Sequence, residues 1–273
     1  MNNPTLRKKC LKASGLVAVV CLFGFLGWAQ APAAVEKGSQ TAKAGFKNED
    51  EIAAKFNNWR TDAEAAVWLA FLGYKAADIV EVTARKPHGE KADIVVRVRT
   101  AVGEKSDGVS IKLVSTATGF NQIDKRWLRQ YAAMWKMPDD VIETLRLFTG
   151  ETKPNRPSRD PRRMFLNELP AERQKRLVEF FTANKAEIIS DLLKGDGEFS
   201  AGWILVALKS AEKPRWVLRI IDYAIKFYSE GPVEITRAGN LKVGRITMQR
   251  KGGDGGRETA NMLQFKFNPA LLF

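Results

Sequence analysis

Asp93 opens a stretch of β-branched residues, Ile94, Val95 and Val96, while Ser110 and Lys112 lie inside the next such stretch. Alternate residues of a strand share a face, so Ser110 and Lys112 point the same way. If the two strands pair through a turn within 103–108, Asp93 comes close to both. A carboxylate able to hold a divalent metal, set beside a lysine ammonium, is the core of a site that hydrolyses phosphodiesters. The same pattern also describes solvated charges on an ordinary hairpin, so other features must decide between the two.

Charge and the scarce reactive residues narrow the chemistry. The 273-residue chain carries 44 basic and 31 acidic residues, a net charge of +13. Arg7, Lys8, Lys9 and Lys12 are the only charges in the first 35 positions, so 40 basic residues still face 31 acidic ones beyond them. Such a surplus favours a polyanion, either nucleic acid or an anionic membrane surface. Both cysteines, Cys10 and Cys21, fall in the N-terminal segment, which excludes disulfides, cysteine-ligated zinc and thiol nucleophiles from the rest. One histidine, His88, excludes a histidine-rich metal site, and its Lys86-Pro87-His88-Gly89 setting is that of a surface loop. Hydrolysis must therefore run on carboxylates, lysine and a metal.

The elements that would position these residues form an α/β pattern. Residues 1–34 read as an export signal: a basic start, an apolar run over 15–28 and small residues around Ala29 and Ala31. Apolar spacing at Phe46, Ile52, Phe56 and Trp59 predicts a helix over 43–60, and Asp62 caps a second over 63–72. Alternation then predicts strands over 79–85, 93–100 and 109–115. Ile123, Trp127, Tyr131 and Met134 fall on one stripe of a predicted helix over 121–137, with another over 141–148 after a cap at Asp139 or Asp140. The proline-broken basic segment 153–163 is a surface loop suited to phosphate contact. Helices over 171–184 and 186–194, a buried strand over 199–209, and a helix or strand-then-helix over 214–228 follow.

The chain ends in two alternating strands within 245–267 around a glycine-rich turn, presenting Gln249, Arg250, Lys251 and Arg257. These residue types read base edges, since Arg and Lys donate to guanine and Gln both donates and accepts. The Gly252-Gly253-Asp254-Gly255-Gly256 run lacks the Lys-Ser/Thr of a phosphate-binding loop. In the predicted 121–137 helix, Asn121, Gln122 and Lys125 occupy the first turn and project toward whatever the neighbouring strand cuts.

Residues 38–49, 111–115, 119–125, 249–254 and 256–265 together resemble the HinP-type restriction endonucleases, type II enzymes of the PD-(D/E)xK nuclease superfamily that cut DNA at GCGC. The resemblance runs from about Val35 to the C-terminus. It implies one restriction-endonuclease-like α/β domain over 35–273, a mixed central sheet flanked by helices, acting on double-stranded DNA with Mg²⁺. Asp93 matches the metal-binding aspartate, Lys112 the catalytic lysine, and Glu49 an early-helix glutamate that supports the metal together with the Ile111 carbonyl. Gln122, Lys125, Gln249, Arg250, Lys251 and Arg257 match regions that face the bases. Two positions depart from the pattern: Ala92 precedes the aspartate, and Ser110 stands where these enzymes carry glutamine. Asp107 is no substitute for it, because an offset of three places it on the opposite face.

The resemblance also implies 5′-phosphate products, a partner DNA methyltransferase protecting the host, and action in the cytoplasm as a monomer or dimer on DNA. A translation start near Val35 then accounts for residues 1–34 better than export does. The alternatives are a DNA-binding protein that lost catalysis through Ser110, and an exported nuclease without sequence preference.

Overall fold

The computed structural model describes residues 30–210, 213–253 and 256–273. The signal-like segment therefore lies outside the described residues up to its last few positions, as does the centre of the glycine-rich turn. Helix α1 (Gln30–Asn57) starts well before the predicted residue 43. It is followed by α2 (Ala63–Phe71), where the Asp62 carboxylate accepts from the Ala65 N–H as expected of a cap. Among the described residues no helix is long and apolar enough to cross a membrane.

One five-stranded sheet carries the catalytic candidates. It comprises β1 (Ile79–Arg85), β2 (Ile94–Thr100), β3 (Gly103–Val114), β5 (Trp203–Leu208) and β6 (Arg215–Ile220), in that spatial order. All pairs are antiparallel except β3 with β5, so the sheet is mixed. The β2–β3 turn is tighter than predicted: Thr100 already pairs with Gly103, and residues 103–108 belong to β3. Ile94, Val96, Val98, Val109, Ile111 and Leu205 pack with Ile52 and Phe56 of α1 and Trp68 of α2 on one face. Val114, Ile204, Val206 and Leu208 face the other way, into a larger core. This period-2 sorting leaves Ser110 and Lys112 on the face opposite α1 and α2.

That larger core is shared with a second five-stranded sheet, in the order β4 (Asn121–Arg126), β10 (Leu263–Phe267), β9 (Ile246–Arg250), β8 (Leu241–Val243), β7 (Val233–Ile235). It also takes in α3 (Leu128–Met134), α4 (Asp139–Thr149), α5 (Ala171–Ala183), α6 (Lys185–Leu193) and α7 (Ile221–Ser229). Residues 214–228 resolve as a strand leading into a helix, β6 then α7. Pro138 is the N-cap of α4, and Asp139 and Asp140 lie within its first turn rather than ahead of it.

The predicted helix over 121–137 is corrected. Its first half is strand β4, which pairs antiparallel with β10, Lys125 opposite Gln264 and Asn121 opposite Phe267. The helical stripe was misleading because its members do not share one environment. Tyr131 is fully buried whereas Met134 is 37% exposed. Pairing with a distant strand outweighs the local period. The loop over 153–163 exists, but it is pinned: Glu168 accepts from Ser158 Oγ at 2.7 Å and from the Arg159 guanidinium at 2.7 Å. Arg159 and Arg163 both lie over the Phe165 ring, at 4.1 and 3.9 Å.

Candidate active site

Asp93 sits where β2 stops covering β3. Its N–H donates to the Val109 carbonyl at 3.0 Å, continuing the ladder by one residue. From Ser110 onward β3 has no β2 residue beside it, and the Asp93 carboxylate takes that place. Three donors converge on one oxygen, Oδ2: the Ile111 N–H at 2.5 Å, Lys112 Nζ at 3.1 Å and Ser110 Oγ at 3.2 Å. Asp93, Ser110 and Lys112 are thus brought together as the strand alternation predicted. Ser110 is buried and spends its hydroxyl on Asp93 rather than reaching outward. Asp107 is on the other side as expected, buried and bonded to Tyr74 Oη at 2.7 Å and Trp203 Nε1 at 3.3 Å.

The positioning has a steric requirement at Gly108. A Cβ there would collide with the Ser200 carbonyl and touch Ala92 Cβ at 3.2 Å. The close approach lets the loop before β5 bond to both strands: Ala92 N–H donates to Phe199 O and Gly202 N–H to Gly108 O. Ala92, at its departure from the family pattern, is buried in this contact.

Glu49 approaches from α1. Lys86 bridges it at 2.9 Å. Burial raises the Glu49 carboxyl above its ordinary range; the Lys86 bond opposes this and the Asp93 charge adds to it. Its neighbour Asn48 is 2% exposed, with neither end of its amide hydrogen-bonded among the described residues. The described residues contain no cluster of three or more His, Cys, Asp or Glu side chains that could hold a metal. A hard cation such as Mg²⁺ does not require one, since it is bound by one or two carboxylates together with substrate phosphates. The donors present fit that mode. Asp93 Oδ1 takes none of the three bonds on its partner oxygen, and the Ile111 carbonyl leaves the strand on the same edge as its N–H.

Asp93 and Lys112 open into a cavity of about 670 Å³ whose opposite wall is β4, with Gln122, Ile123, Asp124, Lys125 and Arg126. The lining as a whole is not simply basic: it combines Lys91, Lys112, Lys125 and Arg126 with Glu90, Asp93, Asp124 and Asp196. Gln122 and Lys125 thus reach the same cavity as the catalytic candidates, though from a strand and not from a helix end. Asn121 is turned to another task, its Nδ2 donating to the Leu113 carbonyl at 3.1 Å. Arg250 is likewise engaged, with the Thr149 carbonyl at 2.7 Å and Asn261 Oδ1 at 2.6 Å. Gln249 stands beside Gln264 on β9 and β10, and Lys251 and Arg257 follow in the connection between these strands.

Sequence reasoning passed over the pair between Lys91 and Asp124. Lys91 Nζ lies 3.5 Å from Asp124 Oδ2 and donates to the Ile123 carbonyl at 3.2 Å. Asp124 also accepts from Arg126 Nε at 2.9 Å and Tyr131 Oη at 2.8 Å. The two partners respond differently to burial. Burial pulls the Lys91 ammonium down to about 8, against the attraction of Asp124 and with the repulsion of Lys112. Burial alone would raise Asp124, but its hydrogen bonds and the Lys91 charge hold it below the ordinary range. The carboxylate has several close donors; the ammonium has one weak bond and one long ion pair. The available signal was spacing, because Lys91 stands two residues before Asp93.

A solved structure shares the fold. The crystal structure of restriction endonuclease MspI in complex with its cognate DNA matches with a TM-score of 0.60 and 14% identity, covering 85% of this chain and 92% of that one. The architecture is that of a restriction endonuclease. The family model for the R.HinP1I restriction endonuclease matches residues 72–273, and the chain belongs to that family of type II site-specific deoxyribonucleases. No curated protein matches the chain.

Proposed function

We propose that the protein cuts double-stranded DNA at GCGC with Mg²⁺ and leaves 5′ phosphates. The observation that carries the reading is the Asp93 carboxylate, held by Ser110, the Ile111 N–H and Lys112 at a cavity faced by Gln122 and Lys125. Asp93, the Ile111 carbonyl and Glu49 would hold the ion, which supplies Lewis-acid polarisation of the phosphate and a more acidic water. Ser110 and the Ile111 N–H fix the carboxylate so that it needs no reorganisation. Lys112, held by that carboxylate, keeps its ammonium beside the reacting phosphate, orients the attacking water and offsets charge developing on the phosphoryl oxygens. Water adds to phosphorus in line with the 3′ oxygen and releases a proton to solvent, the P–O3′ bond breaks with its electron pair going to the 3′ oxygen, which takes a proton from solvent, and the phosphate stays on the 5′ side.

Gln122 and Lys125 meet the substrate from β4; Gln249, Lys251 and Arg257 meet it from the β9–β10 end, with Asn121 bracing β4 against β3 and Arg250 bracing the end of β9 against Thr149 and Asn261. Their donors suit the guanine O6 and N7 edges of a GC-rich site. The nuclease domain spans 35–273, works in the cytoplasm and is paired with a DNA methyltransferase that protects the host's own sites. Incubation with plasmid and Mg²⁺ tests the reading. Discrete fragments that disappear in Lys112→Ala support it; intact plasmid at every metal concentration contradicts it. A gel shift without cutting would favour instead a DNA-binding protein that has lost catalysis.

A further inference from the structure

The catalytic and the base-facing walls of the cavity belong to different sheets, and Lys91 connects them. It precedes Asp93 by two residues in a segment tied to β3 and to the loop before β5 through the Asp93 and Ala92 N–H groups. Its ammonium reaches across to the Ile123 carbonyl at 3.2 Å and to Asp124 at 3.5 Å, the two residues between Gln122 and Lys125. The far end of the link is itself fixed, since Asp124 is held by Arg126 and Tyr131. The stem is confined too. Gly195 has φ +67°, and a Cβ on it would lie 2.7 Å from Lys91 Cβ and 3.0 Å from its Cγ, so the chain closes over the lysine.

A lysine serving only stability would be an odd choice here. Its side chain is 15% exposed, and a buried pair of this kind recovers little of the cost of removing both charges from water. An apolar residue of similar length would fill the space under Gly195. What such a residue could not do is tie a particular backbone carbonyl of β4 to the aspartate segment.

We propose that Lys91 is a positioning residue that couples base reading on β4 to cutting at Asp93. A cognate base pair engaged by Gln122 and Lys125 holds β4 in the register where Lys91 spans Ile123 and Asp124, which keeps Asp93 seated on the Ile111 N–H. A wrong base pair shifts β4, and the shift reaches Asp93 through the same bridge. The inference rests on the nuclease reading and on Gln122 and Lys125 as base-facing residues.

The test compares single-turnover cleavage of a duplex bearing the site mapped from plasmid fragment ends with duplexes altered at one base pair. Lys91→Met, with the length but not the charge, lowers the saturating single-turnover rate constant on the mapped site more than it weakens binding of that duplex. It also shrinks the ratio between mapped and altered sites on the order of tenfold, the scale of a site-to-site coupling. Asp124→Asn acts in the same direction and serves if Lys91→Met does not fold, and Lys91→Arg restores most of the ratio. An unchanged ratio in folded Lys91→Met or Asp124→Asn overturns the inference while leaving the nuclease reading intact, as does an equal loss on all duplexes with a lowered Tm. No cleavage by the wild-type protein overturns both.

Discussion

The two walls of the cavity are held by different means. On the β3 wall the proposed catalytic groups hold one another: one carboxylate oxygen gathers a backbone N–H, a hydroxyl and an ammonium from three consecutive residues. On the β4 wall Gln122 and Lys125 stand either side of a braced pair, with Asp124 fixed by Arg126, Tyr131 and Lys91. Chemistry on phosphorus calls for groups fixed before the substrate arrives. Reading bases calls for side chains free to exchange water for a base edge, carried on a rigid strand. The difference predicts that damage to the β3 wall abolishes turnover while sparing binding, and that damage to the β4 wall changes which DNA is cut.

The largest expected effect is at Lys112. Lys112→Ala lowers single-turnover cleavage by at least about 10²–10³-fold, the scale of losing one preorganised charge-stabilising donor, while gel-shift affinity stays close to wild type. Equal losses of cleavage and binding would erase the distinction between the walls. Next comes Gln122→Ala, for which selectivity between the mapped site and single-base variants falls by about 1–3 kcal/mol if its amide reads a base edge. Parallel loss on all duplexes would instead mark it as a backbone contact.

A third prediction concerns the support of the second sheet. Burial alone would raise the Glu168 carboxyl, but bonds from Ser158, the Phe165 and Arg159 N–H groups and the Arg159 guanidinium bring it down to about 2. A depressed carboxyl stabilises the fold above its unfolded pKa near 4.5, and that contribution is lost as pH falls toward 2. After allowance for screening the term is about 1–2 kcal/mol. Glu168→Gln should therefore lower Tm at pH 7 and flatten its fall between pH 4.5 and 2. A Tm–pH curve parallel to wild type would contradict this. The smallest effect is expected at Lys125, a point charge with no acceptor: Lys125→Ala lowers selectivity between the mapped site and single-base variants by about 1 kcal/mol, and parallel loss on all duplexes would mark it as a phosphate contact instead.

The β3 wall was legible in the sequence because strand geometry alone puts Ser110 and Lys112 on one face and Asp107 on the other. The β4 wall was not. Ile123, Trp127, Tyr131 and Met134 imitate a helical stripe, while the partner that makes 121–126 a strand is β10, at the far end of the chain. Pairings of that range leave no local trace. Gln122 and Lys125 nevertheless line the cavity, from the strand. Arg250 shows the opposite limit. Its residue type suits a base edge, but only the fold reveals that Thr149 and Asn261 occupy its guanidinium.

Sequencing the ends of the fragments produced from plasmid in Mg²⁺ would show whether the protein cuts DNA at one site. Every end should map to one short sequence, GCGC, carry a 5′ phosphate, and be absent from digests with Lys112→Ala. Ends scattered over unrelated sequences, or no fragments from folded wild-type protein, would contradict it.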